Sequence, residues 1–250
     1  MTIDAGWLRE TAARASDRVA LSVAIARRIE ARRMLEVGVA RGGFAAAMLR
    51  SCPDIAEYVM LDPWRRLKRW NKGANRADAA QEDAWRAAMA RTAFAADRRR
   101  VLRGTTREMI GEIPDGSLDV IYVDGDHTLR GVILDLTLCW PKLRPGGVMI
   151  GDDFAPTIWQ HIKWFEPTLV FPAAVHFAEA FDVEIFAAGD DQFVMPKAAG
   201  EDAPGFAFHD LVGGYHRLEL LEQIRAAPPY PAAIDAALRG ARRWLRRRRL

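Results

Sequence analysis

Met34-Leu-Glu-Val-Gly-Val-Ala-Arg-Gly-Gly-Phe44 decides the fold. Met34, Leu35, Val37 and Val39 read as an extended, mostly apolar run around Glu36, and Gly38, Gly42 and Gly43 then open a helix from about Phe44 to Leu49. A strand turning sharply into a helix, with glycines where backbone must approach a ligand, is how an open α/β sheet holds a nucleotide-like molecule. The spacing is E-x-G-x-x-x-G rather than the G-x-G-x-x-G of pyrophosphate binders. Glu36 at the strand tip suits an ammonium group or ordered water and would repel a pyrophosphate. The plain alternative is an ordinary strand-to-helix turn.

Working outward, Tyr58-Val-Met-Leu-Asp62 is a second short apolar strand ending in an acid, 20 residues after Gly42. An acid there is placed to accept from both ribose hydroxyls. Helical periodicity runs from about Trp7 to Arg32 before the first strand. A long alanine-rich stretch, Arg65 to Arg100, carries helical spacing at Trp85, Met89 and Phe94 and exceeds an ordinary connection. It reads either as a lid over the cleft, with Trp70, Asn71 and Trp85 toward the acceptor, or as an extra packing helix. Val101–Gly104 reads as strand three, followed by a short helix from about Thr106 to Gly111. Leu118–Asp124 is a buried strand four, Leu129–Trp140 a helix, and Val148–Asp152 strand five. A helix around Ala173–Ala180 precedes Val183–Phe186 and Phe193–Met195, joined through Gly189-Asp-Asp191 as an antiparallel hairpin. The expected fold is α/β: a doubly wound, mostly parallel seven-stranded sheet ending in that hairpin. After Lys197 comes an added segment, with a helix near Tyr215–Arg225, a break at Pro228, Pro229 and Pro231, and a final basic helix. The expected division is therefore 1–197, with 63–100 as a lid insertion, plus a helical extension over 198–250 belonging to the same unit.

Composition fits one soluble domain. Hydrophobic residues make up 50% of the 250, and no apolar run approaches the ~20 residues that span a bilayer. Met1–Trp7 lacks the basic-then-apolar pattern of a signal peptide. Cys52 and Cys139 are far apart, without metal-ligand spacing, and are expected as reduced, half-buried thiols in a cytoplasmic protein. The net charge of +3 misleads, because seven arginines lie between Arg239 and Arg249. Taking those seven from +3 leaves −4 over residues 1–238. No nucleic-acid surface is expected. The Arg239–Leu250 tail could meet an anionic membrane at its inner surface, although a solvated, frayed end is the commoner fate.

The phrases Asp119-Val-Ile-Tyr-Val-Asp-Gly-Asp-His127 and Trp140-Pro-Lys-Leu-Arg-Pro-Gly-Gly-Val-Met-Ile-Gly-Asp-Asp-Phe154 resemble class I S-adenosylmethionine-dependent methyltransferases. The likeness runs from about Met34 to Lys197 and is sharpest with the branch of macrocin and other sugar O-methyltransferases and cephalosporin-hydroxylase-like proteins. It implies a Rossmann-like methyltransferase fold. It also implies that Glu36, Gly38 and Gly42 hold the methionine part of S-adenosylmethionine, Asp62 the ribose, and residues near Thr105 and Thr106 the adenine edge, with Asp124 also contacting the cofactor. Trp64 is expected against the adenine.

The chemistry has its own argument. If the strands ending in Asp124 and Asp152 are neighbours, Asp124, Asp152 and Asp153 converge at one sheet edge and repel unless a cation neutralises them. Hard oxygen ligands favour Mg²⁺ or a similar ion, and the matching carboxylates of catechol and macrocin O-methyltransferases bind Mg²⁺. His127, three residues after Asp124, has the right intrinsic pKa for a general base; catechol enzymes carry a lysine at that offset. The expected reaction is O-methylation of a sugar or other small hydroxylated acceptor. Two alternatives remain: a metal-free methyltransferase using His127, and a non-catalytic binding protein. Asp126 is expected to cap the helix after it, Asp135 to face solvent, and Asp190 and Asp191 to be turn residues. His161, His176, His209 and His216 are expected as isolated surface or core histidines.

Overall fold

The computed structural model describes residues 3–68, 70–158, 165–200 and 204–215. Two helices come first, α1 (Ala5–Arg14) and α2 (Arg18–Arg28). Each begins where an aspartate caps a free backbone N–H: Asp4 accepts from Trp7 N at 2.9 Å and Asp17 from Ala20 N at 2.8 Å. The periodic stretch from Trp7 to Arg32 is thus broken in two. The chain continues through β1 (Arg33–Val37), α3 (Gly43–Ser51), β2 (Glu57–Asp62), α4 (Asp78–Arg91), β3 (Arg99–Arg103), α5 (Thr106–Met109), β4 (Leu118–Val123), α6 (Leu129–Cys139) and β5 (Leu143–Gly151). It ends with α7 (Val170–Ala180), β6 (Glu184–Ala188), β7 (Gln192–Pro196) and β8 (Ala207–Asp210).

The strands form one sheet in the order β3-β2-β1-β4-β5-β7-β6-β8. The first five are parallel, and β7 is antiparallel to both β5 and β6, so the doubly wound sheet with its closing hairpin is what the chain builds. An eighth strand, β8, adds parallel to β6 where the sequence suggested helical extension. Ala-Phe-His-Asp carries no helical period, and Phe208 packs against the core beneath the sheet. The expected helix after Tyr215, the proline break and the arginine tail lie outside the described residues.

Strand alternation sorts side chains into two layers. Leu35 and Val37 of β1 join α6 and α7, whereas Met34, Tyr58, Met60 and Tyr122 join α1 to α4. Every residue of β4 is buried, as its Val/Ile-rich run requires of a central parallel strand. Cys139 lies at full depth in the first layer and Cys52 in the second, both deeper than expected, and both are free thiols.

The chain winds from β1 to one side and returns at β4 to the other, so β1 and β4 flank the switch point of the sheet. Val37 pairs with Val123, and Val123 with Gly151. Gly38, Asp124 and Asp152 therefore follow one another along a single carboxyl edge. Asp124 N donates to Val37 O at 2.8 Å and Asp152 N to Val123 O at 3.0 Å, which fixes that edge through the backbone.

Candidate active site

A cavity of about 730 Å³ opens at this edge, within the range of small-molecule sites. Gly38, Ala40, Asp62, Thr105, Thr106, Asp124 and His127 lie on its wall. Gly38 sits at φ +87°, and any Cβ there would run into the Asp124 carbonyl oxygen. Glycine is required because β1 and β4 backbones touch at the switch point. Asp62 shapes the loop that follows. Its Oδ2 accepts from Val39 N (3.0 Å) and Ala40 N (2.8 Å), and its Oδ1 from Trp64 N (2.7 Å). Burial pushes the Asp62 pKa up while those three amides pull against it. Thr105 forms a capping box with Glu108, which starts α5 beside the cavity, and Arg65 pairs with Glu108 at 2.7 Å.

Three sequence-expected residues take other places. Gly42 turns away from the cavity: at φ +71° its missing Cβ leaves room for α4, whose Ala88 Cα would lie 2.9 Å from one. Glu36 is buried one layer beneath, accepting from Tyr58 Oη at 2.7 Å, and burial pushes its pKa up to about 8. Trp64 is not on the cavity wall. It is fully buried in the α1–α4 layer and donates its indole N–H to Ala40 O at 2.8 Å, so it braces the glycine loop from behind.

The acids converge. His127 lies between two of them, Nε2 3.3 Å from Asp124 Oδ1 and Nδ1 2.7 Å from Asp153 Oδ2. Burial disfavours the charged ring, but the hydrogen bonds and charges of Asp124 and Asp153 prevail and push its pKa up to about 9. Ligand atoms of Asp124, His127 and Asp153 all lie within 4.8 Å of one another, a geometry able to hold a metal ion. Asp153 reaches this position at φ +58°, a left-handed backbone uncommon for a non-glycine residue. Asp152 is held differently: Arg18 from α2 pairs with its Oδ2 and reaches Asp124 Oδ2 at 3.2 Å, while Gln192 Nε2 donates to Asp152 Oδ1. The group able to hold a metal is therefore Asp124, His127 and Asp153 rather than the three expected acids, and Arg18 faces both Asp152 and Asp124.

Residues 35–154 match the profile of a family described as "Methyltransferase domain". Over that span, just under half of the chain, the protein resembles a methyltransferase domain. Its sheet and winding are shared with two solved structures: the O-methyltransferase NovP (16% identity, TM-score 0.52, covering 77% of this chain and 78% of that one) and the SAH-bound methyltransferase PaMTH1 of Podospora anserina (17% identity, TM-score 0.50, 79% and 89%). Identities this low speak for the fold. An uncharacterized protein, y4gI of Sinorhizobium fredii, is 29% identical over 154 residues. That match covers 56% of this chain and 16% of the relative, so the chain spans about a sixth of that protein's length.

Several polar residues around the cavity depart from expectation. Asp135 does not face solvent. It is buried on the cavity wall beside Gly125 and Thr106, and burial pushes its pKa up to about 7. Asp126 does not cap α6: Thr128 does, accepting from Gly131 N at 3.1 Å, and Asp126 Oδ1 accepts from Thr128 N and from Trp70 Nε1. Asp190 and Asp191 do occupy a turn, at φ +60° and +51°. His176 is exposed and His209 stacks on Phe186, while His161 and His216 lie outside the described residues. Sequence reading missed Arg18 and Gln192; the only signal for either was a charged or amide residue beside a capping or turn aspartate, which is too common to single them out. Among the described residues no helix is long and apolar enough to cross a membrane.

Proposed function

We propose that this protein is a methyltransferase that moves a methyl group from S-adenosylmethionine to a hydroxyl of a small acceptor, such as a sugar, with help from a divalent cation such as Mg²⁺. The convergence of Asp124, His127 and Asp153, the first two on the cavity wall, carries the reading. The cofactor's adenosine would lie along Asp62, Thr105 and Thr106, and its methionine end against Gly38 and Asp124. Glu36 and Trp64 would act from beneath by holding β1 and the glycine loop. The carboxylates of Asp124 and Asp153 fit a hard cation, with Asp152 adjacent to complete an oxygen-rich set and His127 left for the proton. When bound, such a cation would neutralise the carboxylates that hold the His127 proton and lower the pKa of an acceptor hydroxyl.

The remaining work belongs to the protein. Alignment dominates, because methyl transfer is an in-line displacement. The acceptor oxygen forms the new C–O bond as the C–S bond breaks and its electron pair stays on sulfur. His127 takes the hydroxyl proton, and Asp153 on its other nitrogen fixes the ring. Trp70 lines the cavity and hydrogen-bonds Asp126, so it would face the acceptor. Residues 1–197 would form the catalytic unit, and 198–250 an extension of it. A second reading has one observation in its favour: Arg18 already brings positive charge to Asp124 and Asp152, so His127 could work without metal.

The test is turnover of S-adenosylmethionine to S-adenosylhomocysteine with a panel of vicinal diols and hexoses, with and without EDTA. Acceptor-dependent turnover that EDTA abolishes and Mg²⁺ restores supports the proposal. Turnover indifferent to EDTA gives the second reading, and no turnover with any hydroxylated acceptor counts against O-methylation.

A further inference from the structure

Arg18 opens α2, and its position is unusually well determined. Asp17 caps the helix, and the Arg18 backbone N–H donates to Asp190 Oδ2 at 3.0 Å across the sheet end. Its guanidinium passes over the Phe44 ring, 5.9 Å from the centroid, to reach two carboxylates from two different strands. The side chain is 37% exposed, so the head has a route out to water.

The carboxylate oxygens around it are already divided. Asp124 gives Oδ1 to His127 and Oδ2 to Arg18. Asp152 gives Oδ1 to Gln192 and Oδ2 to Arg18. Gln192 is itself anchored, being fully buried, donating to Asp190 O at 2.9 Å and accepting from Tyr122 Oη at 3.0 Å. Gln192 therefore holds Asp152 at the sheet edge whether or not Arg18 is there. A divalent ion that took Asp124 Oδ2 and Asp152 Oδ2 would stand where the guanidinium stands, and two cations cannot share that place.

We infer that Arg18 is a tethered counter-cation that a divalent ion must displace to recruit Asp152. The inference rests on the metal-assisted reading above. In the cation-free protein Arg18 neutralises acids that would otherwise repel; on metal binding it swings toward solvent and Asp152 joins Asp124 and Asp153. Specificity follows, since a monovalent ion gains too little from the carboxylates to eject an ion-paired arginine.

The experiment is calorimetric titration of the full chain with Mn²⁺, on wild type, Arg18→Met and Arg18→Lys, with Arg18→Gln as a second neutral variant should Arg18→Met fail to fold. The expected result is a Kd for Mn²⁺ about tenfold lower in the neutral variants, one factor of ten per ~1.4 kcal/mol of removed competition. Arg18→Lys should stay within about threefold of wild type, because charge is kept. The neutral variants should also melt at lower temperature without Mn²⁺ and regain the difference with it. Unchanged or weaker Mn²⁺ binding in the neutral variants, alongside binding by wild type, overturns the competition and leaves the metal reading standing. Mn²⁺ binding by none of the proteins overturns both.

Discussion

At the residue scale, Glu36 shows how burial rewrites the meaning of a motif acid. Its carboxyl ionises near 4.5 when unfolded and near 8 beneath β1. Between those values the folded state keeps a proton that the unfolded state has lost, so stability falls as pH rises from 4.5 to 8. Glu36→Gln keeps an acceptor for Tyr58 Oη and removes the titration. Urea unfolding at pH 5 and pH 8 should show wild type losing stability with a limiting slope of about 1.4 kcal/mol per pH unit from this group, and the variant losing less. Equal losses would refute the assignment. Gly38→Ala should destabilise by at least about 3 kcal/mol in the same assay, because its Cβ meets the β4 backbone at a left-handed φ. Asp124, Asp153 and His127 were legible in the sequence because strand ends and a three-residue offset fix their places. Arg18 was not: its partners are 106 and 134 residues away, and nothing local marks it.

At the element scale, the long stretch after β2 divides its labour. Helix α4 packs Ala88 over Gly42 and Ala84 into the core, which is the bland half of the expectation. The segment before it lines the cavity through Leu67, Lys68, Trp70 and Ala74. Lys72 pins that segment: its buried Nζ donates to Glu166 O at 2.8 Å and Pro167 O at 2.9 Å. Lys72→Met strands both carbonyls, costing about 1–3 kcal/mol. The cavity-lining segment should loosen, and the Kd for S-adenosylhomocysteine should rise about fivefold by calorimetry; an unchanged Kd would make Lys72 a purely structural strut. Helical period revealed α4, but no sequence period marks a loop held by backbone carbonyls. The eighth strand escaped for the same reason: four residues are too few to show alternation, and pairing with β6 supplies what propensity does not.

At the scale of the whole molecule, strand order is what makes the site. Reversal of direction between β1 and β4 brings acids from two strands to one edge, over a cavity built by loops. That winding was readable because apolar runs alternate with helical periods through residues 34–195. A ligand that binds only this assembled edge must stabilise the fold: at 100 times its Kd, S-adenosylhomocysteine should add about 2.7 kcal/mol, raising the melting temperature by roughly 5–10 °C. The central claim, a cofactor site joined to a carboxylate-held cation, is tested most directly by one calorimetric titration. S-adenosylhomocysteine is titrated into wild type and into Asp124→Asn/Asp153→Asn, each with and without Mg²⁺. The account predicts binding by wild type that Mg²⁺ strengthens, and loss of the Mg²⁺ effect in the variant. Binding by wild type that ignores Mg²⁺ would contradict the cation, and no binding at all would contradict the site.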